Sequence, residues 1–226
     1  MEVYYRSGME RAGNRHGRVV MLSGGSSAGK TTLARALQSA LADPWLLLGI
    51  DLLTWTLPPE LVGSPEGLFV LDGAIIRGPT FLALYDGFRS AVAALARSGV
   101  DILLDEVMLD GATDQRRWDG ALVGLDVCWI GVRCSPEVAA AREAERASRP
   151  TGIAGRQAES VHRNVRYDLE LDSAALDLDQ EIAAVAELFR RRWSLEVSPE
   201  FERTSPLPLT PAWTPEAGLR PPSWER

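Results

Sequence analysis

The chain holds a single lysine: of its 24 basic side chains, 23 are arginine and only Lys30 is not. Cysteine and histidine are as sparse, two of each, and no apolar run approaches the ~20 residues that cross a bilayer. Each shortage excludes something. Cys128 and Cys134 lie six apart in one expected strand and its exit, beyond disulfide reach along an extended chain, and no Cys or His cluster lies near them to share a metal. Both read as buried, reduced thiols. His16 falls in a polar leader and His162 near the end of a short helix, so neither reads as a ligand. Bases are outnumbered by acids, giving a formal charge of −7, and the basic face expected of a nucleic-acid or anionic-membrane partner is missing. The start is polar and has no signal-peptide core, so the cytoplasm is the expected compartment.

The lone lysine stands in Gly24-Gly25-Ser26-Ser27-Ala28-Gly29-Lys30-Thr31-Thr32, which fits G-x-x-x-x-G-K-[ST]. Arg18 to Ser23 before it reads as a short buried strand, and Thr32 to Leu41 after it repeats apolar residues at helical spacing. Strand, Gly-rich turn and helix in that order make a phosphate cradle. The glycines let successive N–H groups point inward, and the helix N-terminus adds its partial positive charge. Lys30 is placed to reach the β- and γ-phosphates of ATP, and the Thr31 hydroxyl to hold Mg²⁺. A chain that writes arginine at every other basic position keeps a compact ammonium where this loop demands one.

Further along, Trp45 to Ile50 reads as a second strand ending at Asp51, whose carboxylate faces the crevice at the carboxyl end of a parallel sheet. The irregular segment from Leu53 to Glu66, with Trp55, is placed to line an acceptor pocket. Leu68 to Leu71, Asp72-Gly73 and Ala74 to Arg77 read as a hairpin, because Asp-Gly suits a type I′ turn. A helix follows from Pro79 to Gly99, with Phe81, Leu84, Phe88, Val92 and Leu95 on one face. Val100 to Glu106 is a third buried strand closing on two acids. It has the look of a Walker B strand, with Asp105 placed to order water on Mg²⁺.

A helix over about 112–123, a strand over 127–132, a helix capped at Ser135-Pro136-Glu137, a strand over 167–172 and a closing helix from Leu178 to Trp193 complete the pattern. Arg142, Arg146 and Arg149, ahead of Arg156, are placed to close over the triphosphate as a lid. Five strand-like runs alternating with helices predict an α/β fold, a doubly wound parallel five-stranded sheet of the P-loop kinase type with a small hairpin insertion. Residues 1–17 read as a flexible leader, 18–193 as the kinase domain with its lid around 142–156, and 194–226 as a Pro-rich tail.

Gly24 to Thr31 as GGSSAGKT, Gly49-Ile50-Asp51, Ile102 to Val107 as ILLDEV, Gly131 to Cys134, and Val161-His162 through Tyr167-Asp168 together resemble the chloramphenicol phosphotransferase family, over Arg18 to Ser173. The resemblance implies that Asp51 is the general base toward the acceptor hydroxyl and that Arg142 and Arg146, with Arg149, are lid arginines. The implied reaction moves the γ-phosphoryl group of ATP to a hydroxyl of a small molecule, chloramphenicol or a similar antibiotic, with no nucleic-acid or membrane partner. Two alternatives stay open: a metabolite kinase acting on a sugar, nucleoside or biosynthetic intermediate, and a non-catalytic nucleotide-binding regulatory module.

Overall fold

Val19, Val20, Met21 and Leu22 are successive apolar residues, and all four are completely buried. An unbroken apolar run, rather than alternation, is what a strand covered on both faces requires. This run forms β1 (Arg18–Ser23), the middle strand of a parallel sheet. The computed structural model describes residues 15–71, 74–145 and 152–198. In chain order the other sheet strands are β2 (Leu46–Gly49), β5 (Ile102–Glu106), β6 (Asp126–Arg133) and β7 (Leu169–Asp172), and the spatial order is β2-β5-β1-β6-β7. A separate antiparallel ribbon pairs β3 (Leu68–Leu71) with β4 (Ala74–Arg77). The doubly wound five-stranded sheet and the hairpin are therefore both present; the Asp72-Gly73 turn itself lies outside the described residues.

Helices cover both faces. The first face of β1, Val20 and Leu22, packs on α1 (Lys30–Ala40) through Leu33 and Leu37 and on α7 (Leu178–Trp193) through Ile182, Val185 and Phe189. Also on this side lie α5 (Pro136–Ala144) and α6 (Ile153–Ser160), which offer Ala139, Ala154 and Ala158. The second face, Val19 and Met21, packs on α3 (Pro79–Arg97) and α4 (Ala112–Ala121) through Phe81, Val92 and Trp118. The short helix α2 (Ile50–Trp55) continues directly from β2.

Local signals account for where the helices begin. Asp177 accepts from the Gln180 N–H at 2.9 Å while Gln180 Oε1 accepts from the Asp177 N–H at 3.0 Å, a capping box that starts α7. Ser135 accepts from the Val138 N–H at 3.3 Å, with Pro136 in the first turn of α5. One expectation shifts by a residue. The buried face of α3 carries Tyr85 and Arg89 as well as Phe81 and Val92, while Leu84 and Leu95 stand 40% and 37% exposed. The helix has rolled so that its polar pair goes inward, for a reason given below.

The described ends of the chain are tied to the last turns of α3 and α1. Gly17 N–H donates to Ala96 O at 2.7 Å, and Ser198 N–H to Ala40 O at 2.9 Å. Asp101, 5% exposed, collects the Arg18 backbone N–H at 2.7 Å, the Arg18 guanidinium at 2.5 Å and Arg15 at 3.2 Å. The Arg18 guanidinium in turn lies 5.0 Å from the Trp45 ring centroid and 5.7 Å from that of Trp193. Burial works against the charge of Asp101, but these hydrogen bonds outweigh it and hold the carboxyl below its ordinary value of 3.8. Its folded value is depressed, so its contribution is complete above 3.8 and is lost as pH falls through the folded value. Asp101→Asn is therefore expected to cost about 1–3 kcal/mol at pH 7. In urea unfolding, the gap to the parent protein should narrow below about pH 3.8; a gap that stays constant with pH would show that the charge plays no part.

Candidate active site

β1 delivers the chain to the carboxyl edge of the sheet, where it turns through Gly24 to Gly29 and starts α1 at Lys30. Gly29, just before α1, has φ +96°, a left-handed conformation that a side chain would resist. Lys30 is only 6% exposed, and its ammonium folds back over the turn to donate to Gly25 O at 2.9 Å. The Asp105 carboxylate, near the end of β5, lies 3.6 Å from Lys30 Nζ and accepts a hydrogen bond from the Thr31 hydroxyl. In β2 a Cβ on Gly49 would stand 2.5 Å from Asp105 O, so only glycine lets that strand end so close to the end of β5. Two residues later Asp51, in the first turn of α2, lines the cavity of about 110 Å³ that the loop residues Ser26 to Thr32 surround. Lys30, Thr31, Asp51 and Asp105, singled out from the sequence, are thus brought to one cavity or its wall.

This arrangement fits a bound triphosphate. It offers one desolvated ammonium and a helix N-terminus. Among the described residues, no group of three or more His, Cys, Asp or Glu could hold a metal. A divalent ion held by Thr31 and Asp105 would therefore draw its other ligands from phosphate and water, which suits Mg²⁺.

Two larger cavities flank the loop. One, of about 480 Å³, reaches from Ser26 and Asp51 past Trp55 to the hairpin residues Phe69 and Ile75 and to Phe81, Tyr85 and Gln157. Its lining is mostly apolar with a few polar groups, the usual make-up of a small-molecule site. Asp51 and Ser26 line both this cavity and the loop cavity. The other, of about 440 Å³, lies beside Ser27, Gly29 and Thr32 and is bounded by Arg142, Ser173, Leu176 and Glu181. Arg142 donates to the Ser173 hydroxyl at 2.9 Å, to Ser173 O at 2.7 Å and to Ser27 O at 3.4 Å, so its guanidinium braces the loop from this side. Arg146 and Arg149 lie outside the described residues.

The chain on both sides of residues 146–151 is fixed. Glu143 is 3% exposed and accepts the Gly152 N–H at 2.6 Å and the Ala154 N–H at 2.9 Å, which caps the start of α6 from the end of α5. From α6, Gln157 Oε1 accepts the Ser26 N–H of the phosphate loop at 2.9 Å. Neither residue was singled out from the sequence. Both sit at helical spacing from buried alanines, Glu143 four after Ala139 and Gln157 three after Ala154, and a polar residue on an apolar face is the signal that marks them.

Behind the sheet edge lies a buried polar cluster. Tyr85 donates its hydroxyl hydrogen to Glu106, the Arg89 guanidinium lies 3.6 Å from the Tyr85 ring centroid, and Asp114 receives Arg77 at 3.0 Å. Burial pushes Glu106 up to about 8, against the Tyr85 hydrogen bond and reinforced by the neighbouring charge of Asp105. Glu106 is thus predominantly neutral at pH 7, while Asp105, beside it at the end of β5, stands at the loop. This cluster is the reason α3 rolls: Tyr85 must reach Glu106. His162, also buried, shares its Nδ1 with the Tyr167 hydroxyl at 2.7 Å, which in turn meets the Ser23 hydroxyl at 3.2 Å. Desolvation, aided by Arg133, holds His162 down to about 4. It is a neutral brace beneath the loop.

A turn that neutralises a triphosphate, carried on the central strand of a parallel sheet with a carboxylate on the neighbouring strand, defines the P-loop kinases. The solved structures agree on the fold. An unliganded sugar kinase from Janibacter sp. HTCC2649 superposes with a TM-score of 0.55 at 16% identity, over 80% of this chain and 99% of its own. The tunicamycin resistance protein of Deinococcus radiodurans gives 0.55 at 18% identity, over 81% and 99%. The chain belongs to the chloramphenicol phosphotransferase-like family, whose sequence profile matches residues 17–192. A Mycobacterium tuberculosis protein named as a candidate O-phosphotransferase is 36% identical over 183 residues, 73% of this chain and 78% of the relative. The protein is thus a phosphotransferase of P-loop fold. No helix among the described residues is long and apolar enough to cross a membrane.

Proposed function

We propose that the chain transfers the γ-phosphoryl group of ATP to a hydroxyl of a small molecule seated in the 480 Å³ cavity, with Asp51 as general base. The observation that carries this reading is the position of Asp51, which lines both the phosphate-loop cavity and the larger cavity beyond it. A base for phosphoryl transfer must stand between donor and acceptor. Lys30 and the loop N–H groups would hold the β- and γ-phosphates, and the Thr31 hydroxyl with Asp105 would hold Mg²⁺. When bound, that ion offsets charge on the phosphate oxygens. Asp51 takes the proton from the acceptor hydroxyl as its oxygen closes on phosphorus and the bond from the γ-phosphorus to the bridging oxygen breaks, leaving ADP. The 440 Å³ cavity, bordered by Arg142, is left for the nucleoside.

Chloramphenicol is the first acceptor to test, because the family carries its name and the cavity offers aromatic and aliphatic walls to an apolar ring. A second reading, a metabolite kinase, is favoured by a charged cleft that adjoins the acceptor cavity and is described below. ATP consumption with Mg²⁺ would be followed against chloramphenicol and a panel of hydroxylated metabolites, with products weighed by mass spectrometry. A mass gain of one phosphoryl group on chloramphenicol supports the antibiotic reading. The same gain on another compound only assigns a metabolite kinase. Nucleotide binding without turnover of any compound favours the regulatory module.

A further inference from the structure

We infer that the cleft beside the acceptor cavity, about 350 Å³ in volume and lined by Arg117, Arg156 and Gln157, is a subsite for a carboxylate or phosphate group carried by the acceptor. The inference rests on the reading that Asp51 faces the acceptor, and it narrows the acceptor class to anionic hydroxy compounds.

The cleft and the acceptor cavity share a wall made by Ile75, Arg77, Leu109, Ile153 and Gln157, so one ligand can occupy both. Two charges in the cleft are already spent. Arg77 pairs with Asp110 at 2.6 Å and with the buried Asp114 behind it at 3.0 Å. The remaining charges are both positive. Arg117 and Arg156 are exposed, and their guanidinium groups make no hydrogen bond or ion pair to any described residue.

Gln157 supplies the built part of the subsite. Its side chain is 6% exposed, and its orientation follows from chemistry: the oxygen must be the end that accepts the Ser26 N–H, so the amide NH₂ is directed elsewhere. No described residue accepts from that NH₂. Gln157 lines the cleft, so this NH₂ is a donor within reach of a ligand oxygen there. One oriented amide and two unspent guanidiniums around a cleft form a donor set for an oxyanion, with Arg suited to bidentate contacts. In a chain of net charge −7 this local excess of positive charge opposes the overall sign. The same oxyanion chemistry would also admit free inorganic phosphate, and the test separates the two.

The test measures binding rather than turnover. The full-length protein is saturated with Mg²⁺ and a non-hydrolysable ATP analogue, so that the phosphate loop is filled, and then titrated by calorimetry with matched hydroxy compounds. Gluconate is compared with glucose, and pantothenate with its alcohol, panthenol. The anionic member of at least one pair is expected to bind about tenfold or more tightly than its neutral partner. Arg117→Ala, and Arg117→Ala with Arg156→Ala, should remove that preference and leave the affinity for the ATP analogue unchanged, while Arg117→Lys keeps part of it. Equal binding within both pairs, no binding of any of the four, or a preference that survives the double substitution overturns the inference. Inorganic phosphate that binds the loaded protein without competing with gluconate or pantothenate also overturns it, by assigning the cleft to a free anion. Failure of the ATP analogue to bind would instead overturn the phosphate-loop reading on which the inference stands.

Discussion

Lys30→Ala is expected to lower turnover by on the order of 10²–10³-fold or more, the range for removing one preorganised charge donor from a transition state. The reasoning starts from what the ammonium does without nucleotide: it is buried, donates to Gly25 O at 2.9 Å and stands 3.6 Å from Asp105. Those contacts are the ones a triphosphate would displace or share, so the cation is already desolvated and aimed before ligand arrives. Alanine removes the cation and, among the described residues, leaves Asp105 with the Thr31 hydroxyl as its one polar partner, so affinity for the ATP analogue falls as well. Lys30→Arg is the sharper variant, because it keeps the charge. A planar guanidinium is bulkier than an ammonium and cannot occupy the same fold-back over Gly25 without moving the loop. A chain with 23 arginines has that residue available everywhere else. Lys30→Arg should therefore lose most of the activity, measured as kcat with saturating ATP. If it turned over near the parent rate, charge alone would suffice and the compactness argument would fall.

The parts legible in the sequence were those set by local chemistry. The phosphate loop announces itself because Gly29 must adopt φ +96° directly before a lysine that starts a helix, and few other sequences tolerate that backbone. The buried strands were legible because both faces of the sheet are covered, so Val19 to Leu22 and Ile102 to Leu104 run apolar without interruption. The start of the closing helix was legible because Asp177 and Gln180 form a capping box there.

What stayed hidden depends on residues far apart in sequence. The inward roll of α3 follows from Tyr85 meeting Glu106, 21 positions away, and no periodicity within the helix contains that partner. Gln157 is joined to Ser26 across 131 positions, and the meeting of Arg117 and Arg156 at one cleft is a property of the assembled surface. The identity of Asp51 as a crevice acid was legible from its place after an apolar strand. Its position shared between two cavities was not, since the second cavity is walled by the hairpin, α3 and α6.

The second large effect follows from that shared position. Asp51→Asn keeps the size and shape of the side chain while removing its negative charge and its capacity to take a proton, so turnover should fall about 10²–10⁴-fold while ATP-analogue affinity holds. A structural role for Asp51 makes a different prediction. As an acid in the first turn of α2 it also favours the helix dipole, an effect worth about 0.3–1 kcal/mol, and its loss would lower the melting temperature slightly without singling out kcat. The two roles separate on three measurements: melting temperature, analogue affinity and kcat. A base gives near-parental values of the first two and a collapse of the third. Asp51→Glu adds one methylene, which moves the carboxylate out of register with the acceptor, and it should recover only part of the loss because proton transfer needs hydrogen-bond reach. Near-parental kcat in Asp51→Asn would remove Asp51 from the chemistry and leave its carboxylate to the helix. In that event Glu143, the other acid lining the acceptor cavity, could not simply take its place, because both its oxygens already accept backbone N–H groups at the start of α6.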